Sequence, residues 1–215
     1  EFRLGSTPTR AILKVFTASV SDGKSKIMLG FQVTNSFDRS TSLSYGLSTK
    51  QQKSWIEVVG YRQVCSNGLK VRVPLHEAEF VRPEIRTEIE ALMGKSFTFR
   101  HTEKVEEKLA GVQYIVEAMA LLQAPLQAII SKAQKIKVID LKNCEELIKK
   151  HFGKRMAKKV NSRFEDDQDT EGSDLWSLYN AITYESSHND YDVKKEDKLL
   201  SKASNFLQEA LVEVA

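Results

Sequence analysis

Tyr61-Arg-Gln-Val-Cys-Ser-Asn67-Gly68-Leu-Lys-Val-Arg-Val73 is the stretch from which the fold is read: two alternating runs on either side of an Asn-Gly pair. A two-residue type I′ hairpin turn needs positive φ at both central positions, which Asn tolerates and Gly adopts freely. This predicts that Ser66 pairs with Leu69, Val64 with Val71 and Arg62 with Val73. On the opposite face Cys65 then lies across from Lys70, Gln63 across from Arg72, and Tyr61 near Pro74. That second face is basic, hydrogen-bonding and partly aromatic, a composition suited to nucleic acid.

Working outward, the period stays mostly two from Arg10 to Pro74. Ile12, Leu13, Val15 and Phe16 seed one strand. Ile27, Leu29, Phe31 and Val33 alternate with Met28, Gly30, Gln32 and Thr34 in a second, and Asn35 to Ser40 make a turn. Leu43, Tyr45 and Leu47 mark a third, and Trp55 to Ser66 with Leu69 to Val73 complete the set. Past Pro83 the period becomes helical. Helices are expected over 84–93 and 102–123, the second carrying Val105, Leu109, Val112, Val116, Met119 and Leu122, with a break or restart at Pro125. Further helices are expected over 141–152 (capped by Asp140), 154–164, 175–185 (capped by Ser173 or Asp174) and 194–214. Strands first and helices after predict an α+β fold, an N-terminal antiparallel β meander of about five strands with a C-terminal helical region packed on it. Residues 1–9, with Gly5, Ser6 and Pro8, read as a flexible lead-in, 10–165 as a basic core domain, and 166–215 as an acidic linker with C-terminal helices on the same domain.

Charge divides along that boundary. Residues 1–165 carry 28 Lys and Arg against 17 Asp and Glu, whereas residues 166–215 carry 4 against 12. A basic body is the footprint of a phosphate-backbone partner, and an acidic tail can compete for the same surface or keep the protein soluble. No run approaches the roughly 18 apolar residues of a membrane helix, and no secretory leader is read, so a cytoplasmic protein without a membrane partner is expected. Beginning at Glu1 rather than Met, the chain reads as trimmed or as led by vector-derived residues. The two cysteines, Cys65 and Cys144, show no paired spacing, and His76, His101, His151 and His188 show no zinc-ligand spacing.

Few constellations carry chemistry. Asp166, Asp167, Asp169, Glu171 and Asp174 could hold Mg²⁺ in a metal-dependent nuclease, but lack the spacing of an EF-hand loop and read as a solvated linker. Neither a phosphate-binding glycine loop nor a Gly-x-Ser-x-Gly elbow is present, so neither cofactor nor catalytic residue is assigned. Seven cations lie between Lys149 and Arg163. On a helix Lys154, Lys158, Arg155 and Lys159 share a face and leave Met156, Ala157 and Val160 to pack. In the helix from Leu175 to Tyr184, Leu175, Leu178, Tyr179 and Ile182 lie on one side and Trp176, Asn180 and Thr183 on another. It reads as docked on the sheet.

Asn35-Ser-Phe-Asp-Arg-Ser40, the Tyr61 hairpin and Leu175-Trp-Ser-Leu-Tyr-Asn-Ala-Ile-Thr-Tyr-Glu-Ser-Ser-His188 together resemble the phage- and plasmid-like family catalogued as domain of unknown function 932. Its members show an Asn-Ser-His-Asp-Gly-Ser-like turn, an Arg-x-Val-Cys-x-Asn-Gly hairpin and a Trp-x-x-x-Asn-Ala-x-Thr helix followed by Ser-His. Here Phe37 and Arg39 stand in place of the His and Gly. The resemblance spans roughly residues 25–190 and implies a product of a mobile genetic element, carried among replication and recombination functions. The expectation is a non-enzymatic nucleic-acid-binding protein that prefers single-stranded DNA and binds it or, as a homo-oligomer, anneals it. Lys70, Arg72, Lys154, Arg155, Lys158 and Lys159 would meet phosphates, with Tyr61 or Trp55 stacking on bases. The alternatives are a module binding a host or replication protein through the acidic tail or the Trp176 helix, and the nuclease.

Overall fold

The computed structural model describes residues 2–4, 10–36, 44–46, 55–64, 66–93, 113, 116–140, 143–189 and 191–213. Strands β1 (Phe2–Leu4), β2 (Arg10–Ser21), β3 (Lys26–Ser36), β4 (Ser44–Gly46), β5 (Trp55–Arg62) and β6 (Asn67–Pro74) form one antiparallel sheet in the order β1-β2-β3-β5-β6. Four are long, and β1 and β4 have three residues each. The outer edge of β3 is shared, pairing with β5 at Ile27–Gly30 and with β4 at Gln32–Thr34. Helices α1 (Pro83–Met93), α2 (Gln123–Lys135), α3 (Cys144–Phe152), α4 (Lys154–Glu171), α5 (Leu175–Ser187) and α6 (Val193–Glu213) follow. The chain is α+β, with strands preceding helices as its periodicity requires.

The decisive hairpin turns elsewhere than the Asn-Gly rule predicts. Arg62 pairs with Asn67, Tyr61 with Gly68, Val59 with Lys70, Val58 with Val71 and Trp55 with Pro74. Residues 63–66 therefore make the loop, closed by the Ser66 amide donating to the Gln63 carbonyl at 3.3 Å, with Ser66 itself at φ 51°. Asn67 is drawn into the ladder because its amide has a buried partner: Nδ2 donates to Thr183 Oγ1 of α5 at 2.7 Å. Arg62 meets Asn67 rather than Val73, an even slip, so no side chain changes face. Cys65 lies outside the described residues.

One face of the sheet carries Ile27, Leu29, Ile56, Val58, Leu69, Val71 and Val73, all buried in the core with α2 and α5. Helix α2 docks through glutamines as well as apolar groups: Gln123 Nε2 donates to the Ser19 carbonyl and Gln134 Nε2 to the Asp22 carbonyl. Pro125 sits in its first turn, where a missing N–H breaks no helical bond. Helix α5 is buried on nearly every side, as a helix enclosed by other elements must be. Its Tyr179 hydroxyl donates to the Lys70 carbonyl of β6 at 2.6 Å. Helix α6 covers the second face beside β6, where its Leu200 lies over Gly68.

Other boundaries depart from the sequence reading. Residues 2–4 are not part of a lead-in but pair with Ala11–Leu13, Phe2 and Leu4 alternating with Arg3 along the open edge of β2. The helix expected from Leu141 begins at Cys144 after Asn143, and Asp140 closes a 3₁₀ turn, Val138–Asp140. The acidic run expected as a linker continues α4 to Glu171, held by buried Phe164 and by the Arg163–Asp167 ion pair at i,i+4. Gly153 (φ 79°) and Gly172 (φ 89°) bound that helix in conformations that favour glycine. Of the helix expected over 102–123, residues 102–112 lie outside the described ones, while Met119 and Leu122 are fully buried. Asp174 caps α5 as read, its Oδ1 accepting from the Ser177 amide at 2.9 Å.

The observed register is checked by a double-mutant cycle on Asn67→Ala and Thr183→Val. Urea unfolding should return a coupling of about 0.5–3 kcal/mol; coupling indistinguishable from zero would put Asn67 back in a turn.

Candidate nucleic-acid interface

The second face of the sheet brings together four residues named from the sequence, Trp55, Tyr61, Lys70 and Arg72, and then occupies them internally. Lys70 is buried. Its Nζ lies 2.8 Å from Asp197 Oδ1, 3.2 Å from Glu57 Oε1 and 3.2 Å from Ser201 Oγ, two of these partners coming from α6. Arg72 lays its guanidinium on the Trp55 ring, 3.7 Å from the centroid, with Nε 3.5 Å from Glu57 Oε2. Tyr61 is half-buried with its ring 6.1 Å from that of Phe16. Glu196 of α6 approaches Lys14 of β2 at 3.8 Å. Asp197 and Glu196 of α6, with Glu57 of β5, thus pair the cations of this sheet face, and Lys70 is held as a buried structural cation. Trp55 borders a cavity of about 700 Å³ with Phe80, Ile129 and Leu211 among its walls, and Lys132 there is paired with Glu79 at 2.7 Å.

The cations of α3 and α4 divide differently. Lys149 pairs with Glu145 and Glu146, whose carboxylates raise its pKa, and Lys150 pairs with Glu209 at 2.7 Å. That Lys150 contact holds the Glu209 carboxyl below its ordinary value. Lys159 Nζ reaches Asn189 Oδ1 at 2.9 Å and Glu185 at 3.9 Å. Lys154, Arg155 and Lys158 are exposed and make no ion pair among the described residues. Met156, Ala157, Val160 and Phe164 bury the opposite side of the helix, so these cations point outward by the helical repeat.

Their placement opposes the helix dipole. Lys154 and Arg155 occupy the first turn of α4, which has no acidic residue and no side-chain cap, and Glu165, Asp166, Asp167, Asp169 and Glu171 crowd its C-terminal end. Each such charge near a terminus costs about 0.3–1 kcal/mol relative to the opposite sign. Glu171 has a separate reason to be there. It accepts from Arg62 Nη2 at 2.8 Å, while Arg62 Nε donates to Asp22 Oδ2 at 2.7 Å and Trp176 Nε1 donates to the same oxygen at 3.2 Å. Asp22 Oδ1 takes the amides of Lys24 and Ser25 in the β2–β3 turn.

Burial alone would raise the Asp22 carboxyl. The hydrogen bond and charge of Arg62, with the Lys24 amide and the Trp176 indole, outweigh it and hold the group below its ordinary value. Burial likewise works to lower Arg62, and Asp22 and Glu171 more than restore it. Tyr179 is pushed up by burial, so its hydroxyl stays a donor. Asp22 was missed from sequence, although Asp22-Gly23 between two alternating runs is a turn signal. Trp176 is 2% exposed, which removes it as a partner-binding surface. Both amide atoms of the buried Asn180 lack a partner among the described residues. No group of three metal-ligating side chains occurs among the described residues, and the carboxylates of the supposed linker are strung along a helix. No described helix is long and apolar enough to cross a membrane. Comparison with protein-family models, curated proteins and solved structures finds no match for this chain.

The buried network has a measurable pH signature. Asp22→Ser keeps an oxygen for the turn, removes the charge beside Arg62, and should cost about 3–5 kcal/mol in urea unfolding at neutral pH. Because the folded carboxyl lies below its unfolded value of about 4, its contribution is present above that pH and lost as pH falls through the folded value. The wild type should therefore lose more stability on acidification than the variant; parallel curves would remove Asp22 from this role.

Proposed function

We propose that this chain is a nucleic-acid-binding protein of a mobile genetic element, a phage, virus or plasmid, that binds or anneals single-stranded DNA in replication or recombination. The observation that carries the reading is the outward face of α4. Lys154, Arg155 and Lys158 are exposed and unpaired among the described residues, and two of them stand at a helix end whose dipole disfavours them. A phosphate at that end would meet the cations, the uncapped amides and the positive pole of the dipole together. Elsewhere the described cations discussed above are mostly spent on carboxylates. The interface is therefore read as Lys154, Arg155, Lys158 and Lys159, with Lys70 set aside and Arg72 contributing only if it leaves Trp55. The resemblance of the hairpin and the Trp176 helix to the domain of unknown function 932 family supports the mobile-element setting.

Binding should be electrostatic, with the affinity for a labelled single-stranded oligonucleotide falling by about 0.7 log unit per log unit of salt for each phosphate neutralised. Lys154→Glu with Arg155→Glu should act in opposite directions on two readouts. Thermal unfolding should show a gain of about 0.3–1 kcal/mol per substitution from the corrected dipole, while affinity and salt slope both drop. Absence of binding by the wild type at ~50 mM salt would end the proposal.

A further inference from the structure

At its C-terminal side the cationic face of α4 runs into an aromatic stack. Arg163, one turn beyond Lys159, lies over the Tyr184 ring at 4.0 Å from the centroid. The imidazole of His188 is stacked with that ring at 3.9 Å between centroids and 9° between planes. Tyr184 is half-buried and His188 exposed. The imidazole is fixed by its own chain: Nδ1 lies 3.2 Å from the Tyr184 carbonyl, which can only accept, and 3.3 Å from Ser187 Oγ. Lys159 joins the same place, since its contacts are Asn189 and Glu185, the neighbours of His188 and Tyr184 in sequence.

Three planar groups are thus layered, a guanidinium, a phenol and an imidazole, beside an exposed row of cations. A single-stranded polynucleotide offers the complementary pair, phosphates spaced along a backbone and unstacked bases with two π faces. Trp55 serves this purpose poorly because Arg72 already covers its ring, and Tyr61 stands half-buried on the sheet face that α6 overlies. Resting on the nucleic-acid reading above, we propose that His188, backed by Tyr184 and Arg163, is the base-stacking platform of this protein, with Lys158 and Lys159 holding the adjoining phosphates.

The test compares a thymidine oligonucleotide with an abasic oligonucleotide of equal length, measured by fluorescence anisotropy on the full chain. The wild type should prefer the thymidine strand, and His188→Ala should reduce the ratio of the two affinities by roughly 5- to 150-fold, the range for loss of one aromatic–base stack. His188→Trp should restore the ratio, which a merely structural role for the imidazole would not do. If both strands bind but the ratio is near one in the wild type, or is unmoved in His188→Ala, the platform is wrong while the cationic reading stands. If neither strand binds, the nucleic-acid reading itself fails.

Discussion

A buried guanidinium between two carboxylates is the constraint on which the rest of this structure depends. Arg62 has no exposed surface, and Asp22, Glu171 and the Trp176 indole reach its site from the β2–β3 turn, the end of α4 and the start of α5. Desolvating one charge costs several kcal/mol, so removing a partner is far more damaging than the pair's net worth suggests. What the cluster supplies is position. It ties the sheet's central hairpin, the far end of the cationic helix and the central helix to one point, and so sets where α4 points its other end.

The same tie accounts for the strange charge order of α4. Carboxylates at the C-terminal end of a helix oppose its dipole, yet Glu171 must be there to meet Arg62. The cations at the opposite end have no comparable internal duty. A sequence reading sees one basic run from Lys149 to Arg163; the fold sorts it into Lys149 and Lys150, spent on neighbouring carboxylates, and Lys154, Arg155 and Lys158, left facing outward. The sheet face went the other way. Tyr61, Lys70 and Arg72 do share it, but Asp197 and Glu57 claim Lys70 and Trp55 claims Arg72.

These contrasts show what was legible. Period-two and helical spacing are local, and they place β2, β3, β5, β6 and most helices within a few residues. The Asn-Gly pair misled because a turn propensity of local origin competes with a tertiary bond, and the bond from Asn67 to Thr183 won. Parity survived, since an even slip keeps every side chain on its face. Asp22 and Glu171 could not be joined to Arg62 from sequence, being 40 and 109 residues away from it. The stack of Tyr184 on His188 was open to reading, because residues four apart share a helix face.

One bond bears on how copies of this chain can associate. The Tyr179 hydroxyl takes the carbonyl of Lys70 on β6, the last strand in the sheet order, and α6 lies beside that strand. A sheet edge recruits a neighbouring strand through unpaired carbonyls and amides. With this acceptor spent and α6 packed beside the strand, β6 presents an incomplete template for strand addition. Among the described strands, β1 at the other end of the sheet order is then the edge at which a neighbouring strand could add.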